Sequence, residues 1–205
     1  MNRPLASAFL VAAAAALVSA CSITRPTPVK QMYLLEPPPP AAAVSATSPL
    51  TARIGTVTVA APYRDRVFVV REGDLRFESD FYHEWVVAPA PMIAEAIARS
   101  LAGARAFARV IPPGAPPEAE LTIDAFVGDL YADNRDPKAP AAVLSMTVYV
   151  SRTDRMSAPV WSKSYARRTV LPAVSAETYA AAQSASMGEI LAELARDLAA
   201  ERSLR

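Results

Sequence analysis

Histidine and cysteine each occur once in this chain of 205 residues, as His83 and Cys21. With one cysteine no intramolecular disulfide can form, and no cysteine pair is available for a structural zinc. Glycine is also scarce. None of Gly55, Gly73, Gly103, Gly114, Gly128 or Gly188 stands in a GxGxxG, P-loop or GxSxG context, so dinucleotide, nucleotide-phosphate and nucleophile-elbow chemistry lose their usual scaffolds. An excess of one charge is missing too: 21 Lys+Arg stand against 20 Asp+Glu. Nucleic-acid binders carry a basic excess or stripe, so that class is set aside.

What is present begins at the N-terminus. Arg3 precedes an alanine-rich apolar run from Leu5 to Leu17, followed by the small residues Val18-Ser19-Ala20. This is the charge, apolar and small-residue order of a secretory signal over residues 1–20, and the run is too short and too alanine-rich to span a bilayer. Leu17-Val18-Ser19-Ala20-Cys21 resembles the lipobox of bacterial lipoproteins. That resemblance implies cleavage before Cys21 and acylation there with palmitate-type chains. Ser22, where an aspartate would act as an inner-membrane retention signal, implies the outer membrane as destination, with the domain facing the periplasm and the inner membrane as the other option. Residues 21–31 read as a tether, since Pro26 and Pro28 interrupt a polar stretch whose ten residues reach at most about 30 Å.

The remainder, residues 32–202, reads as one domain. Met32 to Leu35 is a short apolar run expected as a first strand, closed by Pro37–Pro40, and residues 36–52 are expected as a proline- and alanine-rich loop. Strand-like runs follow at Ile54–Val59, Val67–Val70, Leu75–Glu78 and Tyr82–Val87, with Glu72-Gly73-Asp74 as a hairpin turn. Pro89 and Pro91 open a helix whose Ile93, Ile97 and Leu101 share one face and which Gly103 stops. Phe107–Ile111 and the alternating Leu121–Val127 are further strands, and Val143–Val150 with Val160–Val170 form a long hairpin around Asp154. Ser175 caps a final helix with a stripe of Met187, Ile190, Leu191, Leu194 and Leu198. The fold class is therefore mixed α/β: a largely antiparallel sheet with two helices packed on it.

Catalytic candidates are few. A Ser-His-Asp relay would have to use His83 with Asp80 or Glu84 beside it, whereas a lone histidine next to Trp85 is more often structural. Asp133-Asn134-Arg135-Asp136-Pro137 has two carboxylates but neither the glycine nor the distal glutamate of a calcium loop, and is expected as a solvated turn. The residues point to no enzyme, no metal and no cofactor.

Ile54, Val57 and Val59, then Ala61-Pro62-Tyr63-Arg64-Asp65-Arg66, Val69-Val70-Arg71, and Tyr82-His83-Glu84-Trp85 with Pro89 before a helix, resemble the ABC-type transport auxiliary lipoprotein component family, to which paraquat-inducible lipoprotein C belongs. The likeness spans roughly Cys21 to Leu198 and is strongest from Ile54 to Leu101. It implies a non-catalytic lipoprotein serving an ABC permease and ATPase together with an MCE-domain protein in intermembrane lipid transport, with phospholipid as cargo and room for a homo-oligomer. It also implies partner or lipid contacts at Tyr63, Asp65, Arg66, Arg71 and Trp85, each of which has a structural alternative, a turn or the core. An envelope scaffold or outer-membrane assembly factor would share the same signal, tether and catalytic silence.

Overall fold

The computed structural model describes residues 29–40, 42–44, 47–116, 118–154 and 158–204. The signal segment and Cys21 lie outside the described residues. Among the described residues, eight strands and two α-helices follow in the order β1 (Gln31–Tyr33), β2 (Ser48–Val59), β3 (Val67–Arg71), β4 (Phe77–Trp85), α1 (Pro89–Gly103), β5 (Phe107–Ile111), β6 (Leu121–Asp133), β7 (Ala141–Arg152), β8 (Trp161–Val170) and α2 (Ala176–Ala200). All eight strands share one sheet, and both helices contact it and each other, α1 over β2 and β5 and α2 over β7 and β8.

The longest ladders are antiparallel, β6 with β7 and β7 with β8, as expected for this fold class. Their alternation explains the layer. Leu121, Ile123, Ala125 and Val127 of β6 and Leu144, Met146, Val148 and Val150 of β7 are buried in the same core as α1 and α2, as period-two patterning requires. On the other side of β6 the sheet forks. β2 runs parallel to residues Leu121–Val127, while β3 joins parallel to Ala132 and Asp133 only. A register shift between Val127 and Asp129, at Gly128, separates the two branches. The 3-10 turn Ala61–Tyr63 sits between them: Ala60 N–H donates to Val127 O at 2.9 Å, and the Tyr63 ring stacks on Tyr131 at 5.6 Å. Pro62 suits the first turn, where its missing N–H has no partner to lose.

Several boundaries differ from expectation. Strand β1 ends at Tyr33, because Leu35 is drawn off the edge into the core and Glu36 N–H bonds Ser184 Oγ of α2 at 3.1 Å. The loop expected through residue 52 gives way to β2 at Ser48, with Pro49 at the register shift where a missing N–H costs no ladder bond. Before it, the proline segment is a strap packed over both helices: a Cβ at Gly188 of α2 would lie 2.7 Å from Pro38 Cδ, and one at Gly103 of α1 would lie 3.0 Å from Pro40 Cγ. The two strands expected at Leu75–Glu78 and Tyr82–Val87 are one strand, β4, paired antiparallel to β3. Gly103 is the last residue of α1, but the left-handed position that turns the chain is Arg105, φ 53°. Ser175 caps α2 as expected, accepting from Thr178 N–H at 3.2 Å within a capping box.

Candidate functional site

Four of the five residues singled out around the fork have a structural partner. Trp85 is 1 % exposed and lies 4.6 Å from the Phe68 ring and 5.9 Å from Tyr179, ring centre to ring centre. Tyr63 is buried on Tyr131. Arg66 clamps the edge: Nε donates to Trp85 O at 3.0 Å and Nη2 to Glu84 Oε1 at 2.7 Å, while Trp85 N–H donates back to Arg66 O at 2.6 Å. Arg71 closes the β3–β4 hairpin, donating to Gly73 O at 3.2 Å and Asp74 O at 2.8 Å with its guanidinium over the Phe77 ring. Asp65 is exposed. The structure therefore brings Arg66 and Trp85 into direct contact and gives Tyr63 and Arg71 other partners.

A cleft of about 210 Å³ opens beside this cluster. Its origin is a bulge in β4. Val67 pairs with Glu84 and Val69 with Ser79, so β3 uses one residue, Phe68, where β4 uses four, Asp80–His83. Four residues opposite one must arch out of the ladder, and the space left over Phe68 is the cleft. Val70, Leu171 and Val174 supply apolar walls, Tyr179 closes the floor, and Asp80 and His83 stand at the side of the bulge.

The bulge is pinned by one carboxylate. Asp80 Oδ1 accepts from Tyr82 N–H at 2.8 Å and His83 N–H at 3.1 Å, and Oδ2 lies 2.7 Å from His83 Nδ1. An Asp-His pair is thus present, as the relay arrangement needs, with Ser175 also lining the cleft. The Ser175 hydroxyl is engaged at the N-cap of α2, which is the role of a capping oxygen rather than of a nucleophile awaiting a base.

At the far wall stands Asp133, expected in a solvated turn but 3 % exposed at the end of β6. Two guanidinium groups hold it there: Arg135 donates Nε to Oδ1 at 2.9 Å and Nη2 to Oδ2 at 3.0 Å, and Arg168 donates Nη1 to Oδ2 at 2.8 Å. Those bonds, Arg135's first, outweigh burial and hold its carboxyl down at about 2. Its neighbour Asn134 donates both contacts to Glu72, at 3.0 and 3.1 Å, and leaves Oδ1 without a partner.

Sequence reasoning missed Tyr179 and Asn134. The Tyr179 hydroxyl is buried without a hydrogen bond, and burial pushes its ionisation well above the ordinary range. Gln183, one turn on, is close enough to favour the ionised form, yet its Oε1 is unpartnered as well. The readable signal was Gln183 itself, a polar residue one turn before Met187 on the apolar stripe of α2.

Residues 33–199 match the ABC-type transport auxiliary lipoprotein component family. The chain belongs to that family. Members are lipoprotein accessories of ABC-type transport systems, so a transporter is the class of partner to which this family belongs. Two solved structures share the fold: a Xanthomonas campestris protein of the DUF330 family, 14 % identical over 82 % of this chain and 90 % of that one with a TM-score of 0.63, and an uncharacterized protein, 10 % identical over 83 % and 99 % with a TM-score of 0.66. At such identities the likeness concerns the fold alone. No curated protein matches this sequence. Among the described residues, no helix of this family member is long and apolar enough to cross a membrane.

Proposed function

We propose that the protein is a lipid-anchored, periplasm-facing component that docks to, or forms a conduit for, an MCE-type intermembrane lipid transporter powered by an ABC permease and ATPase, and that it supplies no chemistry itself. The observation that carries this reading is the family match over residues 33–199, which runs from the end of β1 to the last turn of α2. Three features support it. Cys21 follows a signal-like segment and provides the anchor, which the Ser22 rule directs to the outer membrane. Three polar groups of the cleft are spent on structure, Asp133 being held by two arginines, Asp80 pinning the bulge and Ser175 capping a helix. The cleft walls are mainly apolar and suit contact with an apolar chain more than proton transfer.

The test has two parts. Cys21→Ser should abolish fatty-acid labelling of the cell-expressed protein and release it from the membrane fraction, since stable attachment needs two or more chains. Photo-crosslinkers placed at the exposed positions Arg64 and Val86, which flank Tyr63 and Trp85, should then capture an MCE-domain protein in cells. Capture of outer-membrane assembly proteins instead, with unchanged lipid sensitivity in a deletion strain, would replace the transport role with that of an envelope scaffold.

A further inference from the structure

The β4 bulge does more than open the cleft. Its outer two residues, Phe81 and Tyr82, are 70 % and 41 % exposed and meet each other edge to face at 5.1 Å. Asp80 accepts from the Tyr82 and His83 N–H groups, and the turn that these bonds set holds the two aromatic rings out in water. Met32, on the adjoining edge strand β1, is exposed as well, and Lys30 places its ammonium 5.2 Å from the Phe81 ring centre. Burying these side chains within the domain would stabilise it, and the fold instead presents them.

We propose that the Phe81–Tyr82 bulge, with Met32 and Lys30, seats the domain on the lipid surface of the membrane that holds its anchor. This rests on the reading of Cys21 as the lipidated residue. Chain length supports it first: seven residues separate Cys21 from Val29, a reach of under about 30 Å even fully extended. The chain then joins the sheet directly beside the bulge, Gln31 being registered with His83. The corner carrying Phe81 and Tyr82 is therefore the corner the anchor holds nearest the bilayer. Residue type supports it second, because aromatic rings with one wet end and a neighbouring lysine are the side chains that settle at the boundary between headgroups and acyl chains. Area agrees with it third: the two partly exposed rings and the methionine by themselves offer on the order of 300 Å² of apolar surface, a small patch beside the roughly 800 Å² per partner that a stable protein interface buries in all. A contact of that size is sufficient as an orienting supplement to acyl chains.

The experiment uses the full-length lipidated protein reconstituted in vesicles of phosphatidylethanolamine and phosphatidylglycerol brominated on their acyl chains. Tyr82→Trp adds a reporter at the bulge, and Leu75→Trp adds one on the β3–β4 turn, 96 % exposed at the other end of the hairpin. The emission added by Tyr82→Trp should be quenched several-fold more than that added by Leu75→Trp, and Phe81→Ser in the Tyr82→Trp background should reduce the difference. Equal quenching of the two reporters, in protein that still floats with the vesicles, overturns the docking and leaves the anchor reading intact. Failure of the parent protein to float overturns both. A Tyr82→Trp signal that changes with protein concentration and not with lipid would assign the bulge to a second copy of the chain and likewise overturn the proposal.

Discussion

Replacing Asp133 with asparagine removes one charge and keeps the side-chain shape, and the structure fixes both the size and the pH dependence of the result. In the folded protein the carboxyl is held at about 2, against 3.8 for a free aspartate. A shift of that size corresponds to roughly 2.4 kcal/mol at about 1.36 kcal/mol per pH unit. Arg135 and Arg168 are 40 % and 46 % exposed, so water screens the pair and the realised effect is about 1–2 kcal/mol. The carboxyl is depressed on folding, so its contribution is fully present above pH 3.8 and fades as the pH falls towards 2. Urea unfolding of both proteins from pH 7 down to pH 2.5 should therefore show Asp133→Asn less stable by about 1–2 kcal/mol at neutral pH, with the gap shrinking steadily below pH 4. Carboxylates that share neither Arg135 nor Arg168 with Asp133 have the same surroundings in the two proteins and cancel, and Asp74, which also binds Arg135, is 91 % exposed. A gap that stays constant down to pH 2.5 would refute the charge argument and leave packing as the cause.

Trp85→Ala should cost about 3–5 kcal/mol in chemical denaturation, because it empties a fully enclosed site between Phe68 and Tyr179; a loss under about 1 kcal/mol would show that the indole is not core. Gly188→Ala should destabilise by about 1–3 kcal/mol despite alanine's better helix propensity, since the new methyl overlaps the Pro38 ring. A gain in melting temperature would mean that the proline strap does not bear on α2.

The elements that sequence reasoning located well are those whose signal is local. Phe107–Ile111, the β7–β8 hairpin and the Ser175 cap need only neighbouring residues to specify them. The fork does not, because β2 reaches β6 across 61 residues of intervening chain and nothing in either strand names the other. The short apolar run at Leu34-Leu35 has strand composition, but Leu35 is claimed by the core and the strand stops short, a tertiary override of propensity. Ser79-Asp80 looked like a break between two strands because a bulge and a turn use the same polar residues. At the site, His83 and Asp80 were visible as a pair in sequence, whereas Asp133 was misjudged because its two arginines come from residue 135 and from the far strand β8. In the Tyr63-to-Arg66 motif, Tyr63 packs at the junction of the branched sheet and Arg66 clamps the β4 edge, long-range contacts that the motif's own residues do not announce.

That junction also determines how the molecule would carry a mechanical load. A pull on the N-terminus that is taken up by β1 and passes through β4 to β3 crosses to β6 over two registered pairs, Val70 with Ala132 and Arg71 with Asp133, helped by the Asn134 N–H bond to Arg71 O at 2.8 Å. The β6–β7 and β7–β8 ladders, by contrast, each run to ten or more registered pairs. Load entering through β1 thus meets a short splice, with the Phe68, Trp85 and Tyr179 rings and the Tyr33 contact to Glu177 at 2.9 Å beside it. The β1–β4–β3 branch is joined to the β6–β7–β8 slab by fewer main-chain pairs than hold that slab together.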